Sequence, residues 1–104
     1  MSELIRVADP ADIPPGGKLL SEIDGREIAV FNVDGEFYAI DDVCTHDGGP
    51  LAEGELDGCE IECPRHGARF DVRTGKALCL PATEPVATHR VTVKDGGLYV
   101  EIDD

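Results

Sequence analysis

Apolar and polar residues alternate along this chain in short runs, and no window places apolar residues at i, i+3, i+4 and i+7 over three turns. That pattern predicts strands and not helices. Residues 27–33 (E-I-A-V-F-N-V) and 36–40 (E-F-Y-A-I) flank Asp34-Gly35, a dipeptide that tolerates the positive φ angles of a tight hairpin turn. Residues 55–56 and 59–62 flank Asp57-Gly58, and residues 88–94 and 98–102 flank Asp95-Gly96-Gly97. A further candidate strand, 19–23, runs into Asp24-Gly25. Several short strands at this spacing predict an all-β fold, an antiparallel sandwich or small barrel.

Two segments depart from the strand pattern: 43–51, V-C-T-H-D-G-G-P-L, and 63–67, C-P-R-H-G. Both read as loops that follow a strand, and each holds one Cys and one His. Function concentrates on such loops over a rigid sheet. The length of 104 residues suits one domain, expected over 1–104. Its aromatic supply is 3 Phe and 2 Tyr with no Trp, so the core is thin. A metal centre that ties loops together would add stability to a chain of this size.

The spacing is C-x-H, then sixteen residues, then C-x-x-H, which makes Cys44, His46, Cys63 and His66 the candidate ligands. Two centres compete for them, a structural zinc ion and an iron–sulfur cluster. Structural zinc sites commonly pair their ligands as C-x₂₋₄-C and H-x₃₋₅-H. Here each loop contributes one sulfur and one nitrogen, an arrangement that suits two metals side by side, one bound by two Cys and its neighbour by two His. Cys59 alternates with Ile61 and Cys63 and reads as a core thiol, and Cys79, between Leu78 and Leu80, reads likewise. His89, in the run T-H-R-V-T-V, reads as a solvent-facing strand residue.

At these residues the chain resembles the Rieske family. Cys44-Thr45-His46 and Cys63-Pro64-Arg65-His66-Gly67 match its two cluster-binding boxes, and the likeness continues through Phe70-Asp71, Thr74-Gly75 and the proline-bearing stretch 81–85. The resemblance implies one Rieske-type [2Fe–2S] cluster on Cys44, His46, Cys63 and His66. It also implies a Rieske-like antiparallel β-sandwich whose small cluster-binding subdomain, approximately 42–80, is made of the two Cys/His loops. Gly48, Gly49 and Gly67 read equally as plain turn glycines and as positions that aim N–H groups at cluster sulfurs. Pro64 reads as stiffening the second loop and Pro81 as bringing a third loop over the cluster, and both read equally as ordinary strand breakers.

Rieske proteins of respiratory and photosynthetic complexes carry an extra disulfide-bonded Cys in each box, where this chain has Gly49 and Arg65. Their high-potential members place a Ser and a Tyr where this chain has Ala68 and Phe70. Fewer donors to the cluster imply a potential low in the Rieske range of about −150 to +300 mV. The better match is the stand-alone ferredoxin of bacterial ring-hydroxylating (aromatic) dioxygenase systems. The resemblance then implies a one-electron carrier, not an enzyme, between a flavin-dependent, NAD(P)H-oxidising ferredoxin reductase and a terminal Rieske oxygenase. The alternative is the small Rieske subunit of another redox enzyme, such as assimilatory nitrite reductase.

Charge narrows the partners. With 22 Asp+Glu against 9 Lys+Arg the formal net charge is −13, which repels nucleic acid and anionic membranes; by itself it reads first as solubility, and beside a redox site it favours a basic partner. No run approaches the roughly 20 apolar residues of a membrane span, and the N-terminus has no basic region followed by an apolar run. The expected compartment is the cytoplasm, where thiols stay reduced and the 4 cysteines read as ligands or buried thiols.

Overall fold

A computed structural model describes residues 2–23, 25–42, 51–64, 67–79 and 84–103. Among the described residues the chain forms antiparallel strands and a single 3-10 turn, Pro10–Asp12. The strands are β1 Ser2–Ala8, β2 Lys18–Ile23, β3 Arg26–Val33, β4 Glu36–Asp41, β5 Leu56–Asp57 and β6 Glu60–Glu62. They continue with β7 Arg69–Asp71, β8 Ala77–Cys79, β9 Thr88–His89, β10 Val91–Lys94 and β11 Gly97–Asp103. Three sheets result, ordered β1-β11-β10, β2-β3-β4-β9 and β5-β6-β7-β8. The expected antiparallel β-sandwich class is the one observed. No helix is long and apolar enough to cross a membrane among the described residues.

The two-residue period of a strand explains how the sheets stack. On β3, Ile28 and Val30 join a core with Ile13, Ile23, Ala39, Leu98 and Val100, while Ala29 and Phe31 turn to the other face. There they meet Ile40, Leu51, Ile61, Cys63, Ala68, Phe70 and Val72. β3 is thus buried on both faces, which explains its continuous apolar run I-A-V-F. Phe31 and Phe70 are fully buried, and each contributes about 1.5–3 kcal/mol by leaving water.

Turn chemistry sets the local registers. Val33 pairs with Glu36, leaving Asp34-Gly35 as the turn with φ of 52° and 92°, and Lys94 pairs with Gly97 around Asp95-Gly96. Positive φ at both central residues matches the type I′ hairpin. The expected Asp57-Gly58 turn is displaced by one residue: Asp57 pairs with Glu60, so Gly58-Cys59 makes the turn. The expected strand 88–94 is divided in two. His89 pairs with Ala39 of the middle sheet, Val91 pairs with Val100 of the first sheet, and the chain changes sheets at Arg90.

Candidate metal centre

β6 delivers Cys63 and β7 receives the chain at Arg69, so the short hairpin between them is the platform of the second Cys/His loop. The N–H of Cys63 donates to the carbonyl of Ala68 at 2.6 Å, and the N–H of Gly67 donates to the carbonyl of Cys63 at 3.1 Å. Gly67 has φ of 76°, a left-handed value that closes the loop where a side chain would be strained. Pro64 is exposed and lies on the same rim.

The Cys63 side chain is 1% exposed and forms no disulfide. It borders a cavity of ≈ 270 Å³ also lined, among the described residues, by Glu53, Gly54, Glu55, Glu62, Pro64 and Gly67. Three carboxylates therefore stand around the opening. A thiol held out of water beside an open cavity fits the sulfur ligand of an iron–sulfur centre. Of the other expected ligands, Cys44, His46 and His66 lie outside the described residues, as do Gly48, Gly49 and Pro81. Among the described residues no three His, Cys, Asp or Glu gather into a further metal site.

Two readings of single residues are corrected. His89 does not face solvent: its side chain is 8% exposed, and Nε2 lies 2.7 Å from Oδ1 of Asp41. Pairing of β9 with the end of β4 turns the ring onto that carboxylate. Cys59 packs against the core but is only half-buried, because it occupies the turn before β6 instead of a strand position. It borders a second cavity with Tyr38 and Arg73. Cys79 does lie at the end of a strand, β8, and its side chain falls outside the described residues.

Electrostatics around the platform are set by ion pairs. Arg69 stands within 3.5 Å of both Glu60 and Glu62 and 3.8 Å from Asp57, so one cation serves three carboxylates next to Cys63. On the far end of the hairpin, Arg73 donates from Nε and Nη2 to the Asp71 carboxylate at 3.1 and 2.9 Å. Those bonds hold the Asp71 carboxyl below the usual carboxylate range, against the opposing effect of burial. The Arg73 guanidinium is raised in turn by the same bonds. Tyr38 is raised by its hydrogen bond to Glu36.

Asp42 carries a structural role that the sequence pattern did not signal. It is 5% exposed, and its Oδ1 accepts the Ala52 N–H at 2.6 Å, joining the chain on either side of 43–50. A charged residue two positions before a candidate ligand was the available hint, but an acidic residue in so acidic a chain carries little information alone.

The model of the Rieske [2Fe-2S] domain matches residues 3–90. The 3-phenylpropionate/cinnamic acid dioxygenase ferredoxin subunit of Photorhabdus laumondii is 47% identical over 105 residues, covering 100% of this chain and 98% of that protein. The ferredoxin component of the naphthalene 1,2-dioxygenase/salicylate 5-hydroxylase systems of a Ralstonia species is 48% identical over 92 residues, 88% of each chain. Among solved structures, the complex of reduced oxygenase and oxidised ferredoxin in carbazole 1,9a-dioxygenase contains a chain 40% identical, with a TM-score of 0.89 over 93% of this chain and 91% of that one. With the Cys63 platform, this full-length likeness identifies the chain as a member of the Rieske [2Fe–2S] domain family, a carrier of a Rieske-type [2Fe–2S] cluster.

Proposed function

We propose that the chain is the low-potential one-electron carrier of a ring-hydroxylating dioxygenase system, taking electrons from a flavin-dependent reductase and passing them to a terminal Rieske oxygenase. The observation that carries this reading is the 47% identity, across the whole chain, to a dioxygenase ferredoxin subunit. Cys44, His46, Cys63 and His66 are the residues that hold the cluster. When bound, the cluster supplies a centre that takes up and releases a single electron. The chain itself holds the Cys63 sulfur out of water and surrounds the nearby opening with Glu53, Glu55 and Glu62. A negative rim of this kind favours approach by a basic partner surface. In this reading 1–104 is one domain, and 42–80 is its cluster-bearing part, supported by the separate small sheet β5-β6-β7-β8.

The test is analytical and spectroscopic. Purified protein should contain about two irons and two acid-labile sulfides per chain, and its reduced form should show an average EPR g below that of all-thiolate [2Fe–2S] proteins. Cys63→Ser should abolish the centre and Cys59→Ser should retain it. Stoichiometric zinc without labile sulfide would sink the cluster reading. Reduced protein that fails to pass an electron to any Rieske oxygenase from its own source would sink the carrier reading.

A further inference from the structure

Between Asp42 and Leu51 runs the segment that contains Cys44 and His46, and the described residues on its two sides are fastened to each other. Asp42 is buried, and its Oδ1 accepts the Ala52 N–H at 2.6 Å. Its own N–H donates to the carbonyl of Glu27 at 2.9 Å, which fixes it to β3. Asp41 is held just as firmly, its N–H donating to the Ala87 carbonyl at 2.9 Å and its Oδ1 lying 2.7 Å from His89 Nε2. The second carboxylate oxygen of Asp42 is buried without a hydrogen-bond partner among the described residues. Burying a carboxylate is unfavourable unless its bonds repay the loss of water, so Asp is an odd choice for mere packing.

The downstream side is tied to Cys63. Leu51 is fully buried in the core that also holds Cys63. Its carbonyl accepts the Gly54 N–H at 3.0 Å, closing a turn over 51–54. Gly54 then passes so close to β6 that a Cβ there would lie 1.7 Å from the carbonyl oxygen of Glu62, the residue before Cys63. The Glu62 N–H donates to the Glu55 carbonyl at 3.0 Å, and Lys18 Nζ donates to the Gly54 carbonyl at 2.5 Å. Short contacts therefore run without a break from Asp42 to Ala52, through the turn to Gly54, and on to Glu62 and Cys63.

We propose that Asp42 is a positioning residue: its carboxylate bond to the Ala52 N–H fixes Asp42 and Ala52 to each other and, through the turn at 51–54, to Cys63 before any cluster is bound. The inference rests on the reading of Cys44 and His46 as cluster ligands. A hydrogen bond from a backbone N–H to a buried side-chain oxygen is directional, and it holds the two flanks of a ligand segment in place in advance of cluster binding. Ligand groups held by such supports keep their geometry to within about 0.5 Å.

Two substitutions separate geometry from charge. Asp42→Asn keeps an oxygen acceptor for the Ala52 N–H and removes the charge, whereas Asp42→Glu keeps the charge and displaces the acceptor by one methylene. With oxidised holoprotein in excess EDTA, loss of visible absorption should proceed within about twofold of the wild-type rate in Asp42→Asn. It should be at least tenfold faster in Asp42→Glu, with displaced EPR g values in the reduced protein. Gly54→Ala, which drives the turn off Glu62, should also speed the loss. Where Asp42→Ala fails to fold, the Asn and Glu pair still decides. Wild-type release and unchanged g values in Asp42→Glu would overturn the proposal, as would an Asn variant as labile as the Glu variant. Iron content of the wild-type protein and of Cys44→Ser tests the ligand assignment independently, so failure of one reading does not imitate failure of the other.

Discussion

Ala68 and Phe70 are both fully buried, and both belong to the core that contains Cys63. Ala68 is also the backbone partner of Cys63, so a hydroxyl at position 68 would enter the same closed turn. A donor to cluster sulfur favours the reduced, more negative centre, and neither alanine nor phenylalanine supplies one. One neutral hydrogen bond contributes about 0.5–1.5 kcal/mol. For a one-electron couple about 59 mV corresponds to a tenfold change in the equilibrium constant, or about 1.4 kcal/mol. Ala68→Ser and Phe70→Tyr should therefore each raise the midpoint potential by tens of millivolts, and the pair should raise it further. Protein-film voltammetry of the three variants checks this; potentials equal to or below wild type would mean that neither hydroxyl reaches the centre. These residue identities were readable from the motif alone. The burial of positions 68 and 70 was not, because it arises in a core shared with Phe31, Ile40 and Leu51, which are distant along the chain.

At the scale of elements, the β7–β8 hairpin is held by one carboxylate. Asp71 accepts from the Arg73 backbone and guanidinium, and its carbonyl accepts the N–H groups of Thr74 and Gly75. The Asp71 carboxyl lies below its ordinary value because the Arg73 bonds favour the charged form. A depressed folded-state pKa contributes stability that is complete above the unfolded value, about 3.9, and is lost as the pH falls through the folded value. Asp71→Asn lacks that contribution. The stability gap between wild type and Asp71→Asn, read from urea midpoints, should hold steady between about pH 7 and 5 and narrow below about pH 4. A gap that stays constant into strong acid would remove Asp71 from the account. The hairpin turns with Asp-Gly at 34–35 and 95–96 were legible from sequence, because each depends on two adjacent residues. The shift to Gly58-Cys59 was not, since the pairing of Leu56 with Ile61 sets it by burying Ile61 in the core.

For the whole molecule the governing quantity is a net charge of −13, part of it gathered at the opening beside Cys63 as Glu53, Glu55 and Glu62. Exposed charges act across about 30 Å at 0.01 M salt and about 10 Å at 0.1 M. If the acidic rim steers a basic partner, the second-order rate of electron transfer with that partner should fall as salt rises across that interval. Stopped-flow measurement in the bimolecular regime reads the slope directly. A rate indifferent to salt would leave the charge as a matter of solubility. Glu53→Gln together with Glu55→Gln should flatten the slope more than a pair of changes on the remote strand β1.

The sequence by itself determined the all-β class, the cluster type and the hairpin turns at 34–35 and 95–96. The C-x-H and C-x-x-H boxes, the apolar alternation and the Asp-Gly turns each depend on neighbours a few residues apart, so a one-dimensional pattern carries them. The tertiary structure alone decided that 88–94 serves two sheets, that His89 turns inward onto Asp41, and that Asp42 meets Ala52 while Gly54 lies against Glu62. Those contacts join segments whose separation along the chain erases any local signal. They form because stacking three small sheets on a centrally buried β3 leaves one arrangement that buries both of its faces and still pairs its backbone.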